Sequence, residues 1–376
     1  MEEEKKTKKG YLRLIIIAAA VLLVLGVTYL ILRLSGLGLG SVLDAVRGGT
    51  AQRYPFDRSE AGYYAAVGDG FATLSGSALR VRDRSGEEKL GLLLSFREPV
   101  LSTAEDFGAA WDMAGTDFIV FSDGGLRYRS NADGRLISVT VNSRGYAAVC
   151  SEETGYGGSV TVYNPNGRAL YKMSSGSDYV LSGYVRDGSE LLVLTLGAQG
   201  SRLSLYRLGR EGAVAQFSTQ DVIIDAGFTD NGVAAISSSE VYFLSRNLEE
   251  TGNLLLEGKK LVDYRLFSKG AAVLLGDYAQ SGSTLKLIGQ DGTAEAVLDL
   301  PGEARSIDYR DGTVSVLTSG VIYLYSDKLE LKGDSPAPSG CDRVLLRDKD
   351  TVIAVETYSA SVFDIRETSE EREEKQ

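Results

Sequence analysis

Residues 145–172 read GYAAVCSEETGYGGSVTVYNPNGRALYK. This stretch contains an apolar segment that begins at Gly145, a polar loop after Ser151, an alternating apolar and polar segment from Val160, and a turn at Asn164. Alternation is typical of a half-buried strand, and a short apolar run between turns is typical of a fully buried one. The stretch therefore predicts neighbouring β-strands joined by tight connections.

The same pattern recurs along the chain at intervals of about forty residues. Asp-Gly and Asn-Gly pairs occur in the turns between the strands, where they accept the positive φ angles of tight hairpins. Four short antiparallel strands in each such unit are the signature of a propeller blade. The apolar second strands begin at Gly70, Gly108, Gly145, Glu190, Gly232, Gly270, Gly312 and Asp350, with separations of 38, 37, 45, 42, 38, 42 and 38 residues. The sequence therefore predicts an all-β propeller of eight four-stranded blades, with seven blades as the alternative.

The last of these units is incomplete. It supplies only three strands, which begin at Arg343, Thr351 and Ala360, and a charged tail follows. The segment TAQRYPFD at residues 50–57 precedes the first full unit and is the obvious donor of the fourth strand. Pairing of this segment with the last blade removes an exposed sheet edge. We therefore predict a propeller domain over residues 50–366, closed by its N-terminal strand, and a disordered tail over residues 367–376.

Nineteen consecutive uncharged residues, at positions 14–32, precede the repeats. A helix of this length spans roughly 28 Å, which is close to the hydrocarbon thickness of a bilayer. Five Lys or Arg residues precede the run, so the positive-inside rule keeps the N-terminus in the cytoplasm. A cleaved signal peptide would have a shorter apolar region and an A-x-A-like site. The sequence predicts a cytoplasmic N-terminus (1–13), a single transmembrane helix acting as signal-anchor (14–33), a flexible tether (34–49) and an extracytoplasmic propeller at the cell membrane.

Composition excludes several kinds of chemistry. The chain has no histidine, which removes Ser-His-Asp triads, HExxH zinc sites and histidine-ligated haem. The two cysteines, Cys150 and Cys341, match no metal spacing, and two free thiols are a simpler interpretation than one disulfide. Beyond residue 34 the chain has 34 basic and 48 acidic residues, a net charge of −14, which argues against nucleic acid as a partner. We expect no metal and no cofactor.

The predicted anchor, the tether, the glycine-led repeats and residues 145–172 resemble an uncharacterised family of single-pass membrane-anchored β-propeller proteins from Gram-positive-type bacteria. The resemblance covers most of the chain. It implies a fold and a membrane anchor but no substrate, because the family has no assigned activity. More remotely, the repeats are similar to those of quinoprotein-type and WD-type propellers. Those repeats carry a tryptophan motif in each blade, whereas this chain has only Trp111, so the similarity implies no quinone cofactor.

Three connections between second and third strands are longer than the predicted fold requires, at residues 151–159, 197–201 and 276–283. Extra loop length is often where binding residues lie. Tyrosine beside carboxylate suits a sugar or peptide ligand, because the ring provides contact area and the acid provides orientation. The alternative is that these residues are solvated hairpin tips. The candidate ligand-binding residues are Glu152, Glu153, Tyr156, Asp277 and Tyr278.

The sequence favours a binding or scaffold module for a protein or a cell-envelope polymer. An extracytoplasmic enzyme that acts on glycans is the alternative, and it needs two carboxylates roughly 5–10 Å apart, one with a raised pKa. A sensor is a third hypothesis, although the short cytoplasmic segment leaves little room for an output domain. A carboxylate cluster at a channel mouth would favour the enzyme, and an exposed apolar or aromatic patch would favour a protein partner.

Overall fold

A computed structural model describes residues 52–55, 63–113, 115–277, 282–357 and 359–365. Within these residues the chain forms thirty-two β-strands and no α-helix. The strands assemble into eight four-stranded sheets, seven of which use four strands that are consecutive in sequence. Each sheet is one blade, numbered here in chain order. The prediction of eight blades is confirmed, and the seven-bladed alternative is wrong.

The first four blades follow one another without interruption. Blade 1 contains β2 (Tyr63–Val67), β3 (Gly70–Leu74), β4 (Ala78–Arg82) and β5 (Glu88–Leu93). Blade 2 contains β6 (Pro99–Ala104), β7 (Phe107–Asp112), β8 (Asp117–Ser122) and β9 (Gly125–Asn131). Blade 3 contains β10 (Leu136–Val141), β11 (Ala147–Ser151), β12 (Gly158–Tyr163) and β13 (Ala169–Ser175). Blade 4 contains β14 (Tyr179–Arg186), β15 (Glu190–Gly197), β16 (Gly200–Arg207) and β17 (Ala213–Thr219).

The last four blades follow in the same way, except that blade 8 takes one strand from the start of the chain. Blade 5 contains β18 (Ile223–Phe228), β19 (Gly232–Ser237), β20 (Glu240–Ser245) and β21 (Glu250–Leu255). Blade 6 contains β22 (Lys260–Phe267), β23 (Gly270–Gly276), β24 (Ser283–Gly289) and β25 (Ala294–Leu300). Blade 7 contains β26 (Ala304–Arg310), β27 (Thr313–Thr318), β28 (Val321–Ser326) and β29 (Leu331–Pro336). Blade 8 contains β30 (Cys341–Leu346), β31 (Thr351–Glu356), β32 (Ser359–Asp364) and β1 (Gln52–Pro55).

The core of the propeller lies between blades. The second strand of a blade sits inside its sheet, and β3, β11 and β19 are buried along their whole length. Eight clusters of buried apolar side chains fill the eight interfaces between neighbouring blades. Burial of one large apolar side chain contributes roughly 1.5–3 kcal/mol. The regular apolar second strands of the sequence therefore give a ring whose stability comes from blade-to-blade packing.

The ring is closed by β1, which forms the outer strand of blade 8. Arg53 donates hydrogen bonds to Glu356 (2.8 Å) and to Ser359 (3.1 Å) of that blade. The ring of Tyr54 lies 4.9 Å from the ring of Phe71 in blade 1, centroid to centroid. The segment predicted to close the propeller does so, and it also contacts the next blade.

Two expectations from the sequence need correction or stay open. The prediction of a long loop at residues 197–201 is wrong. Strand β15 continues to Gly197 and β16 begins at Gly200, so a two-residue turn joins them. In the part of the chain that the structure describes, no helix is long and apolar enough to cross a membrane. The predicted segments 1–13, 14–33, 34–49 and 367–376 lie outside the described residues and stay predictions. Both cysteines are free thiols, with Cys150 buried and Cys341 partly exposed.

Candidate functional site

The connections of an antiparallel blade alternate between two edges of the ring. Connections from the second to the third strand, such as residues 152–157, share one edge with the connections that lead to the next blade. We call this edge face A. Turns from the first to the second strand, such as residues 187–189, share the opposite edge with turns from the third to the fourth strand, and we call it face B.

The predicted loop at residues 152–157 lies on face A in blade 3, and its two carboxylates are paired. Glu152 forms an ion pair with Arg135. Glu153 accepts a hydrogen bond from Ser174 and lies 3.2 Å from the ammonium nitrogen of Lys172. The hydrogen bond from Ser174, followed by the interaction with Lys172, holds the pKa of Glu153 below its usual value. Both glutamates therefore already have partners within the chain.

The tip of this loop packs against the start of blade 4. The Gly157 N–H donates to the Ser175 carbonyl (2.9 Å), and the Val180 N–H donates to the Gly157 carbonyl (3.0 Å). A Cβ atom at residue 157 would lie 2.1 Å from the Asp178 carbonyl oxygen, so only glycine permits this approach. The contact brings the backbone that follows Tyr156 against the backbone at Asp178 and Tyr179, and the two tyrosine side chains are 55% and 70% exposed.

The connection from blade 4 to blade 5 also carries exposed apolar side chains. Val222 and Ile224 are 56% and 50% exposed. The neighbouring Asp221 carboxylate accepts hydrogen bonds from Ser239 (2.6 Å) and Tyr242 (3.0 Å), which hold its pKa below the usual value. These bonds fix the connection. We refer to Tyr156, Tyr179, Val222 and Ile224 together as the face A patch.

A cavity of about 350 Å³ lies beside the connection from blade 2 to blade 3. Its wall combines the Tyr163 ring and the Leu170 side chain with the hydroxyls of Ser151 and Thr161. Lys172 stands at this cavity and is shared between Asp133 (3.1 Å) and Glu153 (3.2 Å). Glu153 therefore adjoins a space that could hold one side chain or a small polar ligand.

The central channel is lined by the first strand of each blade. These are edge strands, and side chains from one blade satisfy backbone groups on the next. In blade 3, Ser138 donates to the Leu181 carbonyl (2.9 Å), and Asn142 donates to the Val185 carbonyl (3.1 Å), both in blade 4. The channel wall is thus a set of hydrogen-bonded links between blades.

Three aspartates continue this set of links through blades 5, 6 and 7. Asp225 accepts hydrogen bonds from the hydroxyls of Tyr184 (2.6 Å) and Tyr264 (3.4 Å). Burial raises the pKa of Asp225, and the hydrogen bond from Tyr184 opposes that shift. One link therefore contains a carboxyl with a raised pKa.

The other two aspartates are joined by an arginine. Arg265 lies 2.9 Å from an oxygen of Asp263 and 2.8 Å from an oxygen of Asp308. The second oxygen of Asp263 accepts from the Ile307 N–H (2.9 Å), and that of Asp308 accepts from the Leu346 N–H (2.7 Å). Since these carboxylate oxygens all have donors, the arrangement joins blades and leaves no oxygen for a substrate.

Sequence reasoning missed these channel residues, although a signal exists. In blades 5 and 6 the aspartate follows a β-bulge at the same position of the first strand, after Ile223 in one blade and after Leu261 in the other. An aspartate repeated at one position of the first strand indicates a shared structural role. The search for long loops does not detect it.

The remaining predicted residues do not join the loop of blade 3. Asp277 lies in blade 6, 3.8 Å from the ammonium nitrogen of Lys259. Tyr278 lies outside the described residues. The structure therefore brings together Glu152, Glu153 and Tyr156 on face A of blade 3, and it places Asp277 three blades away.

Comparison with known proteins gives a family and a fold. Residues 49–337 match the Family of unknown function (DUF5711). No curated protein matches the chain. BamB from Moraxella catarrhalis is similar, with a TM-score of 0.55 and 11% identity over 84% of this chain and 98% of that chain. The WD40 domain of SCAP from fission yeast has a TM-score of 0.53 and 11% identity, again over 84% and 98% of the two chains. Identities this low show the fold alone.

Proposed function

Because the chain belongs to the family of unknown function DUF5711, we propose its function from geometry: it is a binding module that holds a protein partner on face A. The observation that carries the proposal is the face A patch, in which four apolar or aromatic side chains stand exposed on three neighbouring blades. Exposed apolar patches are typical of interaction sites, and tyrosine is enriched among the residues that dominate binding energy.

The way in which the patch is built supports this role. The loop of blade 3 is tied to blade 4 by backbone hydrogen bonds, and the connection to blade 5 is tied by Asp221. Surfaces that are ordered before binding lose less conformational entropy on association. The loops are therefore suited to hold a partner rather than to fold around a small molecule.

We also propose that the propeller stands outside the cell membrane, held by a helix over residues 14–33 with the N-terminus in the cytoplasm. Its support is the uncharged run of nineteen residues and the basic residues before it. The role that we propose is not catalytic, because the channel carboxylates are used to join blades. A protein is favoured over a cell-envelope polymer because the patch is apolar and its neighbouring carboxylates are paired.

The test uses crosslinking of the intact protein in cells with a membrane-impermeant reagent, followed by affinity purification. The variant Tyr156→Ser/Tyr179→Ser removes the aromatic part of the patch. The matched control is Val297→Ser/Leu331→Ser, which changes two similarly exposed apolar side chains on outer strands of blades 6 and 7. We expect wild type and control to yield the same adduct.

The tyrosine variant should yield that adduct at least about tenfold less, since each central aromatic residue of an interface contributes about 2 kcal/mol or more. Equal yields from the three proteins would show that the patch does not bind the partner.

A further inference from the structure

Arg347 is in an unusual environment. Among the described residues it is the only buried basic residue, with 9% of its surface exposed. Its buried Nε atom has no hydrogen-bond partner among the described residues, and its ion pair with the Asp348 carboxylate is long, at 3.7 Å. Buried charged donors are almost always hydrogen-bonded, because desolvation without a partner is costly. The environment of Arg347 therefore indicates a missing acceptor.

A second arginine near it has the same deficiency. One terminal nitrogen of Arg82 lies 3.5 Å from Glu88, whereas the other, Nη1, is buried without a partner among the described residues. Arg82 ends β4 of blade 1, and Arg347 follows β30 of blade 8. Both positions lie on face B, at the seam where the last blade meets the first.

Tyr54 of the closing strand lies beside Arg82 at this seam. The guanidinium carbon of Arg82 is 5.9 Å from the centroid of the Tyr54 ring. Burial raises the pKa of Tyr54, while the positive charges of Arg347 and Arg82 oppose the shift. Asp348 links Arg347 to blade 1, because its carboxylate lies 3.7 Å from the Arg347 Nε atom and 3.9 Å from the Arg84 guanidinium. Three segments that are distant in sequence thus converge on one small region.

The charge of the seam differs from that of the rest of the propeller. Its ion pairs use five basic and four acidic side chains, a local net charge of +1, whereas the chain beyond residue 34 carries −14. The basic members are Arg80, Arg82, Arg84, Lys89 and Arg347, and the acidic members are Asp83, Glu87, Glu88 and Asp348. An anion is therefore better accommodated here than on the acidic surface around it.

We propose that this seam binds a phosphate-type oxyanion, held by Arg347 and by the free Nη1 of Arg82 beside Tyr54. Guanidinium groups match phosphate oxygens in charge and in donor geometry. The bound anion would link blade 8 to blade 1 at the place where β1 closes the ring. Its binding would therefore stabilise ring closure, independently of the partner on face A. The phosphate could be the free ion or a monoester on a larger molecule.

The test follows thermal unfolding of the full-length protein at constant ionic strength while inorganic phosphate replaces chloride. We expect a saturable rise in the unfolding midpoint of about 3 °C or more for wild type. Arg347→Gln and Arg82→Gln should lose the response. Arg343→Gln, which changes an exposed arginine of the same blade, should keep it. A parallel titration with glycerol phosphate separates the two sources, since a site for the free ion alone would not respond to the monoester.

Two outcomes would overturn the proposal. If wild type does not respond to phosphate, the seam holds no such site, and an acceptor within the chain itself pairs with the arginines. If Arg82→Gln and Arg343→Gln respond as wild type does, the effect comes from an adventitious ion only. Arg82→Gln keeps the test decisive even if Arg347→Gln fails to fold, because Arg82 is the more exposed of the two side chains.

Discussion

At the scale of single residues, buried or half-buried polar groups hold the connections that carry the proposed binding surface. Asp221 is one of them: it accepts hydrogen bonds from Ser237, Ser239 and Tyr242, and it directly precedes Val222 of the face A patch. The sequence around it, STQDVII, reads as an ordinary polar turn before an apolar strand. The acceptor role could not be predicted, because its donors come from the second and third strands of blade 5 and from the turn between them.

The variant Asp221→Asn should destabilise the protein by about 1–3 kcal/mol at pH 7, because an amide cannot accept all three hydrogen bonds as a carboxylate does. The folded-state pKa of Asp221 is lowered, so its stabilisation is fully present above the unfolded value, near 3.8. It should be lost as the pH falls through the folded value.

Denaturant unfolding of wild type and Asp221→Asn at pH 7 and pH 3 measures this contribution. The difference in their free energies of unfolding should be smaller at pH 3. Asp69→Asn is the control, since Asp69 is exposed and accepts no hydrogen bond from a described side chain. A difference that is constant with pH would contradict the assigned role of the Asp221 charge.

At the scale of strands and blades, the sequence predicted the features that depend on residues close together in the chain. Apolar second strands and glycine-containing turns repeat because each blade must bury the same strand against two neighbouring blades. This repeat predicts all eight second strands. The prediction of a loop at residues 197–201 is wrong because Gly197 and Gly200 pair directly, so the β15–β16 hydrogen bonds continue up to a tight turn. Gly200 has φ +108°, which glycine adopts without strain. Composition alone does not separate such a turn from a longer loop.

The contribution of the closing strand β1 to stability can be tested by substitution of Tyr54. Tyr54→Ala removes a ring that packs on Phe71 and touches the turn at Gly86, so the contact between β1 and blade 1 is lost. We expect a loss of about 2 kcal/mol in the free energy of unfolding. Tyr179→Ala, at an exposed position, should cost less than about 0.5 kcal/mol. Equal effects of the two substitutions in denaturant unfolding would show that β1 contributes little to ring closure.

At the scale of the whole molecule, the candidate site depends on the packing of neighbouring blades. Tyr156, Tyr179 and Ile224 belong to three blades, and only blade-to-blade packing places them on one face. For this reason, the search for long loops identified Tyr156 but not the other residues of the face A patch. It also identified Asp277, which lies on a distant blade. The proposed membrane anchor, in contrast, is a property of a continuous segment, and for that reason the sequence predicts it directly.

The proposed topology can be tested with introduced cysteines and a membrane-impermeant maleimide in intact cells. Gln199→Cys, on face A, should be labelled from outside, and Thr7→Cys should be labelled only after permeabilisation. Background should be low, because burial raises the pKa values of Cys150 and Cys341 to about 12 and leaves little reactive thiolate. Labelling of position 7 but not of position 199 in intact cells would reverse the proposed orientation.

The central claim, that face A of blades 3–5 holds a protein partner, is tested most directly by site-specific photo-crosslinking in cells. A photoreactive residue replaces Tyr156, Tyr179 or Ile224 on face A, or the exposed Asp187 or Asp311 in turns of face B. We predict one adduct of the same mass from all three face A positions and none from the two face B positions. Adducts from face B alone, or equally from both faces, would contradict the account.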